Sequence, residues 1–164
     1  MVRKEDALEI IKLALDNDIK LYLDGGWGVD ALLGKETRVH NDVDIFIEKR
    51  QESLFLMLLK EKDFVEKIYP YTTKYHTVWQ DKQGRIIDLH IFEKDIENQI
   101  VFEGEKYPED IFDGVGKIGG IEINCIPAKY QVPFHLGYEF DENDIHDVLL
   151  LCKKFNIPIP DEYK

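Results

Sequence analysis

"LYLDGGWGVDALLGKETRVHNDVDIFIE", residues 21 to 48, is the stretch that decides the fold. An apolar strand over 19–24 runs into the pair Gly25-Gly26, and the short helix "WGVDALLG" follows. Gly34 stops that helix, because glycine takes a left-handed cap without penalty. The next strand, 42–48, alternates: Val43, Ile45 and Ile47 share one face, and Asp42, Asp44 and Phe46 share the other. Carboxylates two residues apart on a strand point the same way, about 6 Å apart. Their repulsion is about 0.7 kcal/mol in water and about 3 kcal/mol at an effective dielectric near 20. A solvated strand tolerates the smaller figure, and for an isolated Asp-x-Asp that is the simpler reading. In a cleft, a divalent cation turns the pair into a site, and oxygen-only donors suit Mg²⁺.

A third carboxylate shifts the balance. In "RIIDLHIFE" (85–93), Ile87, Leu89 and Ile91 face one side while Asp88 and His90 share the other. An aspartate inside such an apolar run is costly unless it is paired, metal-bound or exposed. If this strand lies beside 42–48, three carboxylates converge, enough to hold two Mg²⁺ ions and to take a proton from a hydroxyl. His90 reads as a second base, a residue orienting Asp88, or a packed histidine. Gly25 and Gly26 leave backbone N–H groups free at a helix N-terminus, where phosphate can approach closely. Lys35 and Arg38 follow in the next loop as phosphate-neutralising candidates or plain surface charges.

Working outward, residues 4–17 place Leu8, Ile11 and Leu15 on one helical face. Helices are also expected at about 51–62, over 128–138 with Pro133 as a bend, and over 141–155 with Asp141 as N-cap. "FVEKIY", "KYHTVWQ", "QIVFEGEKY" and "GIEINCIP" read as strands, and "GVGKIGG" (114–120) as a loop or turn. No repeat or linker interrupts the chain. A single domain is expected over 1–164, with a core of about 1–93 and a substrate-side part of about 94–155 containing the later helices.

Acidic residues number 33 against 21 basic ones, a net charge of −12. Phosphate-backbone binding needs a basic footprint, so nucleic acid is not an expected partner. A cationic small molecule or a metal-bound nucleotide suits the charge better, although acids also serve solubility. Cys125 and Cys152 form no motif and read as small packed hydrophobes. The longest apolar run, "LFLMLL" at 54–59, is too short for a membrane span. With no signal-peptide pattern at its start, the chain is expected in the cytoplasm.

The stretch "LDGGWGVDALLGKETRVHNDVDI" resembles the antibiotic nucleotidyltransferases of the polymerase-β-like superfamily, above all the small lincosamide nucleotidyltransferases and then the aminoglycoside 2″-nucleotidyltransferases. The superfamily pattern is matched by Gly25-Gly26, by Asp42 with Asp44, and by Asp88; the subgroup's longer form is matched through Trp27, Asp30, Gly34, Arg38 and His40. "IDLH" (87–90) and "FHLGY" (134–138) add to the likeness, which spans most of the chain to about residue 150. Gly26 stands where the wider superfamily often has serine, a feature the subgroup shares.

The resemblance implies an α+β fold of the polymerase-β-like type, a mixed twisted sheet flanked by helices with a helical C-terminal part. It implies transfer of AMP from ATP to a hydroxyl of a lincosamide antibiotic, with release of pyrophosphate and inactivation of the drug. Asp42, Asp44 and Asp88 would then be the catalytic and metal-binding residues around two Mg²⁺ ions, with Asp88 as base. Gly25, Gly26, Lys35 and Arg38 would hold the nucleotide phosphates, with His40 in support. Trp27 and Asp30 are expected to be structural. The drug pocket would draw on Tyr75, His90, Tyr107, His135 and Tyr138, with Tyr71, His76 and Trp79 as further aromatic candidates. Related enzymes are commonly homodimers, and a homodimer would complete the pocket. Two alternatives stand beside this reading: the same chemistry on an aminoglycoside or a protein, the net charge of −12 arguing against a tRNA end, and a non-catalytic nucleotide- or metal-binding module.

Overall fold

The computed structural model describes residues 1–164 and contains a single nine-stranded mixed sheet with five α-helices. The elements run α1 (Lys4–Leu15), β1 (Leu21–Asp24), α2 (Gly25–Leu33), β2 (Val43–Glu48) and α3 (Lys49–Glu61). Then come β3 (Val65–Lys67), β4 (His76–Gln80), β5 (Ile86–Lys94), β6 (Ile100–Phe102) and β7 (Glu105–Lys106). The chain closes with β8 (Gly114–Ile118), β9 (Ile121–Cys125), α4 (Ala128–Phe134), α5 (Glu142–Phe155) and a 3-10 turn, Asp161–Tyr163. The strand order is β3-β4-β5-β2-β1-β9-β8, with the β6–β7 hairpin extending from β5.

β1 is antiparallel to β2, β2 is parallel to β5, and β1 is parallel to β9. The sheet is buried on both faces, but unequally. Leu23, Ile45, Ile47, Leu89 and Ile91 belong to a large core with Ile10 and Ile11 of α1 and Phe55 and Leu59 of α3. The residues between them along each strand point to the other face, where a smaller cluster forms from Phe46, Phe92, Ile100, Ile111, Phe112 and Ile126. This second face is left partly open, and it carries the polar residues of interest.

Three departures from sequence expectation have plain causes. The glycine pair is not a turn before α2 but its first two residues, so the strand-to-helix switch happens within a single step at Asp24. The run 99–107 is a hairpin, because Glu103 and Gly104 both take positive φ and reverse the chain. Residues 114–118 form β8 rather than a loop. Gly116 there lies so close to α2 that a Cβ would come 2.3 Å from the Ala31 carbonyl oxygen. Its glycines reflect backbone-on-backbone packing, while Gly119 and Gly120, both with positive φ, make the turn to β9. The α5 cap is as expected: the Asp141 carboxylate accepts from the Asn143 and Asp144 amides at 2.8 and 3.0 Å.

No helix is long and apolar enough to cross a membrane.

Candidate active site

Register brings the acidic residues together. Asp44 is the Cα partner of Asp88 across the parallel β2–β5 pair and of Asp24 across the antiparallel β1–β2 pair. Residues opposite one another in a ladder share a sheet face. With Asp42 just before β2, carboxylate oxygens of Asp42, Asp44 and Asp88 all lie within 4.8 Å of one another. Asp24 was not foreseen as part of this group. Its signal is visible in hindsight: a charge ending the otherwise apolar strand "LYLD", immediately before the glycines.

Burial and mutual repulsion set the electrostatics of these carboxylates. Burial, then Asp42, Asp24 and Asp88, push the Asp44 carboxyl well above the ordinary carboxylate range, against the pull of Arg38. Burial and Asp88 likewise raise Asp42, with His40 and Arg38 opposing. All the donors are oxygens, the set preferred by a hard cation such as Mg²⁺. The residues present therefore fit a divalent ion in both donor chemistry and charge.

The glycine pair is required here by space. Gly25 has φ +57°, and a Cβ on it would lie 2.1 Å from Asp44 Oδ2. A Cβ on Gly26 would lie 2.3 Å from His40 Nδ1 and 2.6 Å from Arg38 Nη2. The first two residues of α2 thus pack against a carboxylate at Gly25 and against two nitrogen-bearing side chains at Gly26. Replacing Gly25 with alanine is expected to cost about 1–2 kcal/mol through the left-handed backbone alone. It should also displace Asp44, so thermal midpoint and turnover fall together; a calorimetric scan beside a rate measurement checks this.

The loop between α2 and β2 is held by a buried network. Asp30, 1% exposed, accepts from the Thr37 amide and hydroxyl and from His40 Nε2. Because that carboxylate only accepts, His40 donates from Nε2 and turns Nδ1 toward Gly26. Trp27 covers the imidazole at a centroid distance of 4.4 Å and is itself buried in the core. Arg38 forms a two-pronged pair with Asp147 of α5, Nε to Oδ1 at 2.9 Å and Nη2 to Oδ2 at 2.7 Å. That hydrogen bonding pushes the Arg38 pKa further up. Asp147 was missed from sequence, although it interrupts the apolar stripe that includes Val148, Leu151 and Cys152. Lys35 is exposed and has no ion-pair partner.

The expected drug-pocket residues divide. His90 lies two residues beyond Asp88 on β5, stacked between His76 (4.5 Å) and Phe46 (4.7 Å), with burial lowering its pKa. Tyr107 packs by Phe102 and Phe46, and burial followed by the charge of Asp24 raises its pKa. These two border the carboxylates on the open face. Tyr75 does not: it lies in the turn before β4 and packs against the large core, while His76 reaches Asp88. Trp79 is buried in that same core. His135 and Tyr138 lie at the α4–α5 junction. There His135 Nδ1 donates to the Gln131 carbonyl and the Tyr138 hydroxyl donates to Asp144. Gln131, buried on α4, links this junction to the site by donating to Asp24 at 2.9 Å. His76 contacts Asp88 directly, Nε2 to Oδ1 at 2.5 Å.

Carboxylates on adjacent strands thus stand beside a glycine-led helix, with an arginine and a histidine over its first turn. The family model for aminoglycoside-2″-adenylyltransferase matches residues 6–151. The chain belongs to that family. It is also similar, at 24% identity over 157 residues, to a lincosamide resistance protein of Staphylococcus haemolyticus, covering 90% of this chain and 92% of the relative. Among solved structures, it resembles the lincomycin-bound lincosamide antibiotic adenylyltransferase LnuA, with a TM-score of 0.81 and 25% identity over 96% of this chain and 99% of the other. ANT(2″)-Ia in complex with adenylyl-2″-tobramycin shares the fold at a TM-score of 0.75 and 17% identity, covering 93% and 88%.

Proposed function

We propose that this chain transfers AMP from ATP to a hydroxyl of a lincosamide antibiotic, releasing pyrophosphate. The observation that carries the reading is the meeting of Asp42, Asp44 and Asp88 within 4.8 Å beside Gly25 and Gly26. The near-complete mutual coverage with a lincosamide resistance protein and with LnuA supports the choice of acceptor.

Asp42, Asp44 and Asp88 would hold Mg²⁺, which when bound supplies charge neutralisation for the triphosphate and for the charge that develops in transfer. The chain's own groups do the rest. The first amides of α2 receive phosphate oxygens, and a phosphate can come close only because neither glycine carries a Cβ. Arg38, its guanidinium fixed by Asp147, donates to the phosphates, with His40 held beside it by Asp30. Asp88 accepts the proton of the attacking hydroxyl. Phe46, His90, Phe102 and Tyr107 offer an aromatic wall for the apolar part of the acceptor. In phosphoryl chemistry such positioning and electrostatic stabilisation supply most of the rate.

The test is a panel of lincosamides and aminoglycosides incubated with each nucleoside triphosphate and Mg²⁺, read by mass spectrometry. Lincomycin or clindamycin should gain one AMP from ATP, and chelation should stop the reaction. A product on tobramycin alone would move the acceptor to aminoglycosides, and no product on any drug would overturn the assignment.

A further inference from the structure

The β4 residue His76 does not belong to the carboxylate group, yet its contact there is specific. His76 is the register partner of His90, and its ring lies between Tyr71 at 5.3 Å and His90 at 4.5 Å. The stack continues from His90 through Phe46, while the half-exposed Tyr71 ring approaches His76 at a tilt of 34°. Thr73 Oγ1 accepts the His76 backbone amide at 3.1 Å, and Thr73 and His76 form an isolated bridge that closes the turn holding the ring. From this position Nε2 meets Asp88 Oδ1 at 2.5 Å. His76, Asp88 and His90 together have ligand-type atoms within 4.8 Å. The two imidazoles are nevertheless stacked with only 23° between their planes, so their in-plane nitrogens run alongside each other rather than converging on an ion.

We infer that His76 is a positioning residue for Asp88. Its Nε2–H takes up Oδ1, which would leave Oδ2 available to a cation or to the acceptor hydroxyl. A carboxylate on a two-bond side chain otherwise rotates and offers either oxygen; a donor locked in an aromatic stack removes that freedom. This is the arrangement in which outer hydrogen bonds orient a metal-binding carboxylate, and losing such a partner typically costs about 10–100-fold in activity or metal affinity. The inference rests on Asp88 serving as the base proposed above.

Three variants separate the N–H from the ring. His76→Phe keeps the stack and loses the donor. His76→Gln loses the ring but carries an amide N–H at a reach similar to Nε2, and His76→Asn carries one too short to reach Asp88. With lincomycin, ATP and Mg²⁺, His76→Phe and His76→Asn should lose about 10–100-fold in kcat while both KM values hold within about twofold. His76→Gln should recover to within about fivefold of the parent. Mn²⁺ binding, counted by the electron paramagnetic resonance of free ion, should weaken about tenfold in the first two and far less in His76→Gln. This metal arm does not need a drug. If the unaltered protein adenylylates no lincosamide, the proposed function falls and Mn²⁺ binding alone decides His76. Parental kcat and Mn²⁺ affinity in His76→Phe, or a His76→Gln as impaired as His76→Phe, would overturn the inference.

Discussion

Replacing Asp44 with asparagine will cut AMP transfer by about 10³-fold, the scale for losing a preorganised charged group at a transfer site. The same change will make the metal-free fold more stable. Asp44 stands among Asp42, Asp24 and Asp88, with oxygens of Asp42 and Asp88 within 4.8 Å. At an effective dielectric near 20 each such pair repels by about 3 kcal/mol. After solvent screening and partial protonation, about 1–2 kcal/mol of relief is expected, which for a domain of this size raises the thermal midpoint by about 2–8 °C. The pH dependence carries the sign. Both Asp42 and Asp44 have folded-state pKa values raised above the unfolded value of about 3.9. The folded state therefore binds these protons more tightly, and chelator-treated protein loses stability as pH rises from that value through the folded pKa values. Asp44→Asn should flatten that slope, and Mg²⁺ should restore the unaltered protein at neutral pH. Melts with and without Mg²⁺ over a pH series that starts near the unfolded carboxylate value and rises from it measure all three effects. A less stable Asp44→Asn in metal-free buffer would refute the electrostatic account.

The second large effect concerns Arg38. Its partner Asp147 has a side chain only 2% exposed, so Arg38→Ala strands a buried carboxylate. Breaking a buried pair from one side costs about 3–5 kcal/mol, and the partial exposure of Arg38 places the expectation at the lower end, about 3 kcal/mol. The thermal midpoint should drop by about 6–12 °C. Turnover should fall about 100-fold as well, since the guanidinium over Gly26 is lost. The double variant Arg38→Met with Asp147→Leu leaves no unpaired charge. It should regain most of the stability and none of the activity. Measured together, the melts and rates split the pair's structural part from its catalytic part.

These residues also show what was readable from sequence. Period-two alternation placed Asp42, Asp44 and Asp88 on strand faces, and the parallel pairing of β2 with β5 brings those faces together. Local pattern suffices there because a strand's facing is set by its own residues. Contacts made across the chain leave no such trace. Asp147 meets Arg38 from a helix far along the sequence, and His76 meets Asp88 from the neighbouring strand. In each case the only local sign is a polar residue within an otherwise apolar or aromatic stripe. Tyr75 sits in the turn just before β4 and packs on the large core, a placement set by the turn and not by strand alternation. The glycines of β8 were misread because glycine marks a turn and a close backbone contact alike, and only the position of α2 distinguishes them.

The segment 34–41 is fastened from opposite regions of the sequence. The Val2 amide donates to the His40 carbonyl at 2.8 Å, and α5 grips Arg38 through Asp147. A fragment holding only the acidic strands would thus keep its carboxylates yet lose the grip on the loop that carries Arg38 and His40. Residues near the start of the chain and the last long helix converge on one short loop, and cutting either tie should loosen it.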